Sequence, residues 1–309
     1  MTAARPVELR AGARVLTGIF SPGTSPSGPL LVALHGASYD AHYFDAPGAS
    51  VHERASRAGL PMLSITRPGY PATPESARAQ PSLSDAASIV TEAVAGFLAA
   101  SPHSVSGVIV LGHSVGGAVT MRIAAAAPPW PLAGIAVSGI GDVPARAAVE
   151  RFAAAPADAV LVVPPSMCRA SFYGPDGTFA HDSIDSFASL NVPFPSRDVV
   201  EVNTSWPIDF PAVAAQVTVP VHLTLAEHDG LWETGHAALA RMSRAFGPTV
   251  PVELHDWPGT GHNIEHHLVG PEYCASVFEF ARRITLGSAG QDGSPGHGPT
   301  PQDNHTSNG

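Results

Sequence analysis

Apolar positions along this chain alternate between short unbroken runs and longer stretches with helical spacing. Val7-Glu8-Leu9 and Arg14 to Phe20 read as early strands, the second ending in the turn cluster Ser21-Pro22-Gly23. Pro29 to His35 is continuously apolar, as a strand buried on both faces requires. Pro61 to Thr66, Val105 to Leu111, Leu132 to Ile140, Val219 to Ala226 and Val250 to Trp257 repeat that signature. Between them, Ala49 to Ala58, Leu83 to Ala100, Ala118 to Ala127, Glu233 to Phe246 and Ile264 to Ile284 carry helical periodicity, and Ser82 or Ser84 is available to cap the second. This order predicts an α/β fold: a mostly parallel central sheet of about eight strands with helices on both faces.

One segment breaks the alternation. Gly141 to Ala215 is proline-rich, lacks clean periodicity and carries aromatics at Phe152, Phe172, Tyr173, Phe179, Phe187, Phe194, Trp206 and Phe210. A stretch of that length is expected to be functional or an inserted small domain. We read residues 1–140 and 216–286 as one core domain, 141–215 as an inserted cap whose aromatics largely form its own core, and 287–309 as a disordered tail of glycine, proline and polar residues.

Composition narrows the function classes. Hydrophobic residues make up 44% of the 309 and charged residues 14%, the balance of a globular protein. The formal net charge of −10 disfavours nucleic acid or an anionic membrane as partner. No run approaches the length of a membrane span and Met1 to Arg10 lacks a signal-peptide core, so a cytoplasmic location is expected. All 16 basic residues are arginine, a bias that points to a GC-rich genome and not to a function. Cys168 and Cys274 lie too far apart in sequence for a metal motif and read as two unpaired thiols. The sequons at Asn203 and Asn304 carry no weight without a secretion signal.

The densest chemical signal is Val108 to Gly117, an apolar run that stops at Gly112-His113-Ser114-Val115-Gly116 before an alanine-rich helix. This is the pattern of a nucleophile elbow, a strand-to-helix turn so tight that the serine is backbone-strained and projects at the helix N-terminus. A serine hydroxyl needs a base within reach and a group to orient that base. On such a fold the chain order is Ser, acid, His, each on a loop after a later strand. His262, in Trp257-Pro258-Gly259-Thr260-Gly261-His262 behind the last strand, fits the base among 15 histidines. Asp229 fits the acid, with Glu227 and Asp142 as competing carboxylates. Two backbone amides are expected to form an oxyanion hole, that of Val115 and, from the loop His35-Gly36-Ala37-Ser38, that of Ala37. His262-Asn263-Ile264-Glu265-His266 also matches the H-x-x-E-H zinc pattern, but Glu272 and Glu279 are the only acidic residues left before the tail to serve as third ligand, and the glycine pair before His262 suits a catalytic loop better. Zinc is therefore not expected, and His266 and His267 are read as helix-surface residues.

Gly112-His113-Ser114-Val115-Gly116, His35-Gly36, Glu227-His228-Asp229 and Gly261-His262 together resemble the α/β-hydrolase family, over roughly residues 6 to 285. The resemblance implies a triad of Ser114, Asp229 and His262 and no cofactor. A serine nucleophile sets the chain apart from the haloalkane dehalogenase and epoxide hydrolase branches. The His-Gly-Gly-Gly motif of some lipases and esterases is absent, since Ala37 and Ser38 follow Gly36. The Gly-His-Ser-x-Gly-Gly form is similar to the smaller esterases, thioesterases and carbon–carbon bond hydrolases. The expected reaction is hydrolysis of a small carboxylic ester or thioester with an apolar acyl or ring-bearing group. Carbon–carbon bond hydrolysis, acyl transfer or cyclisation by the same triad, and a binding module without turnover, are the alternatives. The oligomeric state is not legible.

Overall fold

The structure is a computed structural model that describes residues 4–24, 28–71, 80–101, 105–152, 155–156, 158–180 and 183–289. Its centre is an eight-stranded sheet. The strands are β1 (Arg5–Ala11), β2 (Arg14–Ser21), β3 (Leu30–Leu34), β4 (Met62–Ile65), β5 (Val108–His113), β6 (Leu132–Ser138), β9 (Val221–Ala226) and β10 (Val252–Trp257). They run in the order β1-β2-β4-β3-β5-β6-β9-β10. All neighbours from β4 to β10 are parallel, while β2 is antiparallel to both β1 and β4. The central strands are short and wholly buried because helices cover both faces.

Alternation along each strand divides the core in two. Leu30, Val32, Leu34, Val108 and Val110 pack on one face with α2 (Leu83–Ala100), α3 (Val115–Ala125) and α9 (Gly235–Ser243). Leu31, Ala33, Ile109 and Leu111 pack on the other with α1 (Val51–Arg57) and α10 (Gly270–Ala289). Helix α2 starts at a capping box, with the Ser82 and Asp85 side chains bonding each other's backbone N–H. By length and composition α2 could cross a membrane, contrary to the sequence expectation. Here Leu83, Val90, Ala93 and Val94 instead fill the core against the sheet.

Segment 141–215 contains α4 (Arg146–Phe152), β7 (Val160–Leu161), α5 (Pro165–Phe172), α6 (Ser183–Ala188), β8 (Phe194–Pro195), α7 (Ser196–Thr204) and α8 (Trp206–Ala214). β7 and β8 pair with each other and not with the main sheet. Phe172, Tyr173, Phe179 and Phe187 cluster with Ala46 and Ala49, from between β3 and β4, whereas Trp206 and Phe210 join the core under α3. Two further expectations need correction. The last helix begins at Gly270 and not at Ile264, because Ile264–His266 forms a separate 3-10 turn. It also continues through Ala289, past the expected start of the tail; residues 290–309 lie outside the described residues.

Candidate active site

Ser114 occupies the turn between β5 and α3 with φ 54° and ψ −125°, a left-handed conformation that costs a non-glycine residue about 1–3 kcal/mol. Its neighbours make the turn possible. A Cβ on Gly112 would lie 2.5 Å from Gly116 O, and one on Gly116 would lie 2.1 Å from Leu34 O, so neither position accepts a side chain. The strained turn is held by Ser114 N donating to Ser138 O at 2.8 Å and Gly117 N donating to Ser114 O at 2.7 Å. Val115 is the first residue of α3, where backbone N–H groups lack helical acceptors.

The loops after β3, β9 and β10 meet at this turn. A Cβ on Gly36 would sit 2.9 Å from Ser114 Cβ and 3.4 Å from its Oγ, so the Gly36–Ala37 loop lies directly against the serine. His262 and Asp229 come from the β10 and β9 loops, and His262 Nδ1 is 2.8 Å from Asp229 Oδ2. Both are buried, and Asp229 Oδ1 also accepts from Leu231 N at 2.9 Å, which fixes the carboxylate. The competing carboxylates are engaged elsewhere. Asp142 takes two bonds from Arg241 at 2.7 and 2.8 Å, and Glu227 accepts from Gly259 N at 2.8 Å. Ser114, His262, Ala37 and Val115 line one cavity of about 40 Å³. Among the described residues its wall carries no arginine, aspartate or glutamate and is mostly apolar. Phe152, Val163, Phe172, Phe194 and Leu231 line both this cavity and an adjoining one of about 230 Å³.

Several supporting residues escaped the sequence reading. His113 packs beneath the serine turn, its ring stacked on Tyr43 at 4.7 Å and its Nε2 3.2 Å from Asn263 Oδ1. Burial, with the His262 ring beside it, holds its pKa well below that of an ordinary histidine. A neutral His113 puts no like charge against His262, whose ring centroid is 4.8 Å away. Asn263 also donates to Tyr39 Oη at 3.0 Å, and Tyr43 Oη donates to the buried Glu265 at 2.7 Å.

His266 and His267 are not on a helix surface; both are 3% exposed. The 3-10 turn points them into the packing between the sheet and segment 141–215. His266 stacks on Phe187 at 4.1 Å. His267 Nε2 accepts from Gly174 N at 3.0 Å and Gly261 N at 2.9 Å. Gly174 and Gly261 approach so closely that a Cβ on Gly261 would lie 2.5 Å from Gly174 N. That glycine pair brings segment 141–215 against the His262 loop. Its only trace in the sequence is two isolated glycines. Cys168 and Cys274 are both free and buried. Among the described residues no group of three or more His, Cys, Asp or Glu is set to hold a metal.

Residues 31–277 match the sequence model of the alpha/beta hydrolase family. A search of curated proteins gives no match. Solved structures are similar in fold. A soluble variant of monoglyceride lipase from Saccharomyces cerevisiae, in complex with a substrate analogue, superposes with a TM-score of 0.69 at 13% identity, covering 92% of this chain and 96% of that one. A thermostable carboxyl esterase from Bacillus coagulans, in complex with glycerol, gives 0.69 at 13% identity over 92% of this chain and 100% of that one. An E-2-(acetamidomethylene)succinate hydrolase gives 0.64 at 18% identity, covering 90% and 99%. At these identities the likeness is one of fold.

Proposed function

We propose that this chain, which belongs to the alpha/beta hydrolase family, is a serine hydrolase that cleaves an uncharged carboxylic ester or thioester through an acyl-enzyme on Ser114. The observation that carries the reading is a strained Ser114 and His262 on the wall of one apolar cavity, with Asp229 bonded to His262 behind it. Ser114 Oγ attacks the carbonyl carbon while His262 Nε2 takes its proton. Asp229, bonded to Nδ1, holds the imidazole in the required tautomer and stabilises the imidazolium. The tetrahedral oxyanion is received by the amides of Val115 and Ala37, each of such donors being worth about 3 kcal/mol. His262 then protonates the leaving group, and an activated water releases the acid.

The cavity supports a substrate class. At about 40 Å³ the space beside Ser114 suits a short acyl group. It is well under the ~150 Å³ that accommodates an aromatic ring. A ring or longer chain would then occupy the adjoining 230 Å³ space beyond Phe152, Val163 and Leu231. In this reading 141–215 is the cap that closes both spaces. Among the described residues no cation lines the smaller space, so a carboxylate held beside Ser114 would lose hydration without a partner, whereas the adjoining space is lined by Arg151.

The test is hydrolysis of p-nitrophenyl esters of graded acyl length, set against a succinate half-ester of the same alcohol. Turnover of the short neutral esters, absent in Ser114→Ala, is expected, with the anionic ester at least tenfold poorer. Preference for the anionic ester would overturn the substrate class, and turnover surviving in Ser114→Ala would overturn the mechanism.

A further inference from the structure

Behind the Gly36–Ala37 peptide lies a fully buried arginine that the chemistry above does not use. Arg67 follows β4 and is 0% exposed. Its Nε donates to His35 O at 2.7 Å, and its Nη2 approaches Gly36 O at 3.3 Å and both Tyr70 Oη and Asp198 Oδ2 at 2.7 Å. Its backbone N–H donates to His35 Nε2 at 2.9 Å. That bond leaves the imidazole proton on Nδ1, which donates to Gly36 O at 2.7 Å. The Gly36 carbonyl is therefore gripped by His35 and Arg67, with the Tyr70 hydroxyl also 3.5 Å away. Because every described peptide here is trans, the Gly36 C=O and the Ala37 N–H are opposite edges of one rigid plane. Fixing the first fixes the direction of the second.

Asp198 carries this arrangement across to segment 141–215. It sits on α7, the helix that also contributes Val199, Val202 and Asn203 to the cavity wall, and it accepts from Tyr70 Oη at 2.7 Å. A buried ion pair seldom stabilises more than an apolar pair of the same volume. Arg67 Nη1 moreover finds no hydrogen-bond partner among the described residues. Stability alone is thus a poor reason for a charge at this place.

We infer that the Arg67–Asp198 pair, with His35 and Tyr70, is a positioning device that aims the Ala37 amide at the oxyanion and fixes the α7 wall to the same frame. The inference rests on the serine-hydrolase reading. It makes Arg67 and Asp198 positioning residues that touch no substrate.

The experiment compares wild type with Arg67→Met, Asp198→Asn and Tyr70→Phe, each normalised to the serine titrated to completion by a fluorophosphonate. Ester turnover is measured beside inhibition by a trifluoromethyl ketone, whose hemiketal presents an oxyanion. Both charge variants should lose about 10- to 100-fold in kcat per titrated serine, with KM within about threefold. The ketone inhibition constant should rise by the same factor. Tyr70→Phe, which keeps the ion pair and removes one hydroxyl, should show a smaller parallel loss of about three- to tenfold in both quantities and serves if the charge variants do not fold. A merely structural role would lower the titratable fraction and leave kcat per serine within twofold of wild type; that result overturns the inference. Wild type that takes no label would refute the hydrolase reading itself, whereas labelled, active wild type matched by its variants refutes the positioning role alone.

Discussion

Lowering the pH from 7.5 to 5 should destabilise this protein sharply, because it buries neutral histidines. His35, His52, His222 and His266 are 0%, 1%, 0% and 3% exposed. Burial pushes their pKa values from 6.5 down to about 3, 4, 3 and 4. Each depressed pKa means that the unfolded chain binds a proton which the folded chain refuses. Stability is therefore retained above pH 6.5 and lost as the pH falls from there toward 3 to 4. At pH 5 the unfolded histidine has passed its pKa by about 1.5 units, which costs about 2 kcal/mol per residue and about 8 kcal/mol for four. That is comparable with the whole stability of a typical domain, roughly 5–15 kcal/mol. Urea melts at pH 7.5, 6 and 5 and constant ionic strength measure the effect. His222 is a useful control, since its ring stacks on His255 at 3.9 Å and its Nε2 meets Ser276 Oγ at 2.9 Å. His222→Gln should remove about 2 kcal/mol of the acid-induced loss, whatever it does at neutral pH. A folding free energy at pH 5 within about 1 kcal/mol of that at pH 7.5 would refute the reasoning.

Three other perturbations address the site. Asp229→Asn should lower kcat by about 10⁴-fold through loss of the correct imidazole tautomer, with Asp142→Asn close to wild type in the same ester assay. Gly116→Ala would place a Cβ 2.1 Å from Leu34 O; soluble expression and a thermal melt should show a protein that is unfolded or strongly destabilised. Leu231→Ala opens the wall between the two cavities, and ester profiling should shift its optimum toward longer acyl chains.

The parallel sheet was legible because its central strands are buried on both faces, which leaves unbroken apolar runs such as Leu30–Leu34 and Val108–Leu111. Leu83–Ala100 was legible from its helical periodicity behind a candidate serine cap, and the structure shows that Ser82 is that cap. Ser114 was legible as a candidate nucleophile through glycines that only a tight turn needs, and His262 as a candidate base through its loop position after the last strand. The choice among Asp142, Glu227 and Asp229 was harder. All three leave strand ends, and only the packing shows Asp142 spent on an arginine 99 residues away.

Least legible was what crosses long stretches of chain. Arg67 and Asp198 are 131 residues apart, and no local pattern pairs them. The same holds for His267, whose two amide donors come from Gly174 and Gly261. A helical pattern read through Ile264 put His266 and His267 outside, where the 3-10 turn turns them in. In segment 141–215 the two-residue strands β7 and β8 are too short to produce a period.

The central claim is that Ser114 is a nucleophile activated by His262. Intact-mass analysis after fluorophosphonate treatment tests it most directly, on wild type, Ser114→Ala and His262→Gln. One phosphonyl adduct per chain should form on wild type and map to the peptide containing Ser114, with none on Ser114→Ala and labelling of His262→Gln slowed by orders of magnitude. An adduct that persists in Ser114→Ala, or one that forms at the wild-type rate without His262, would contradict the account.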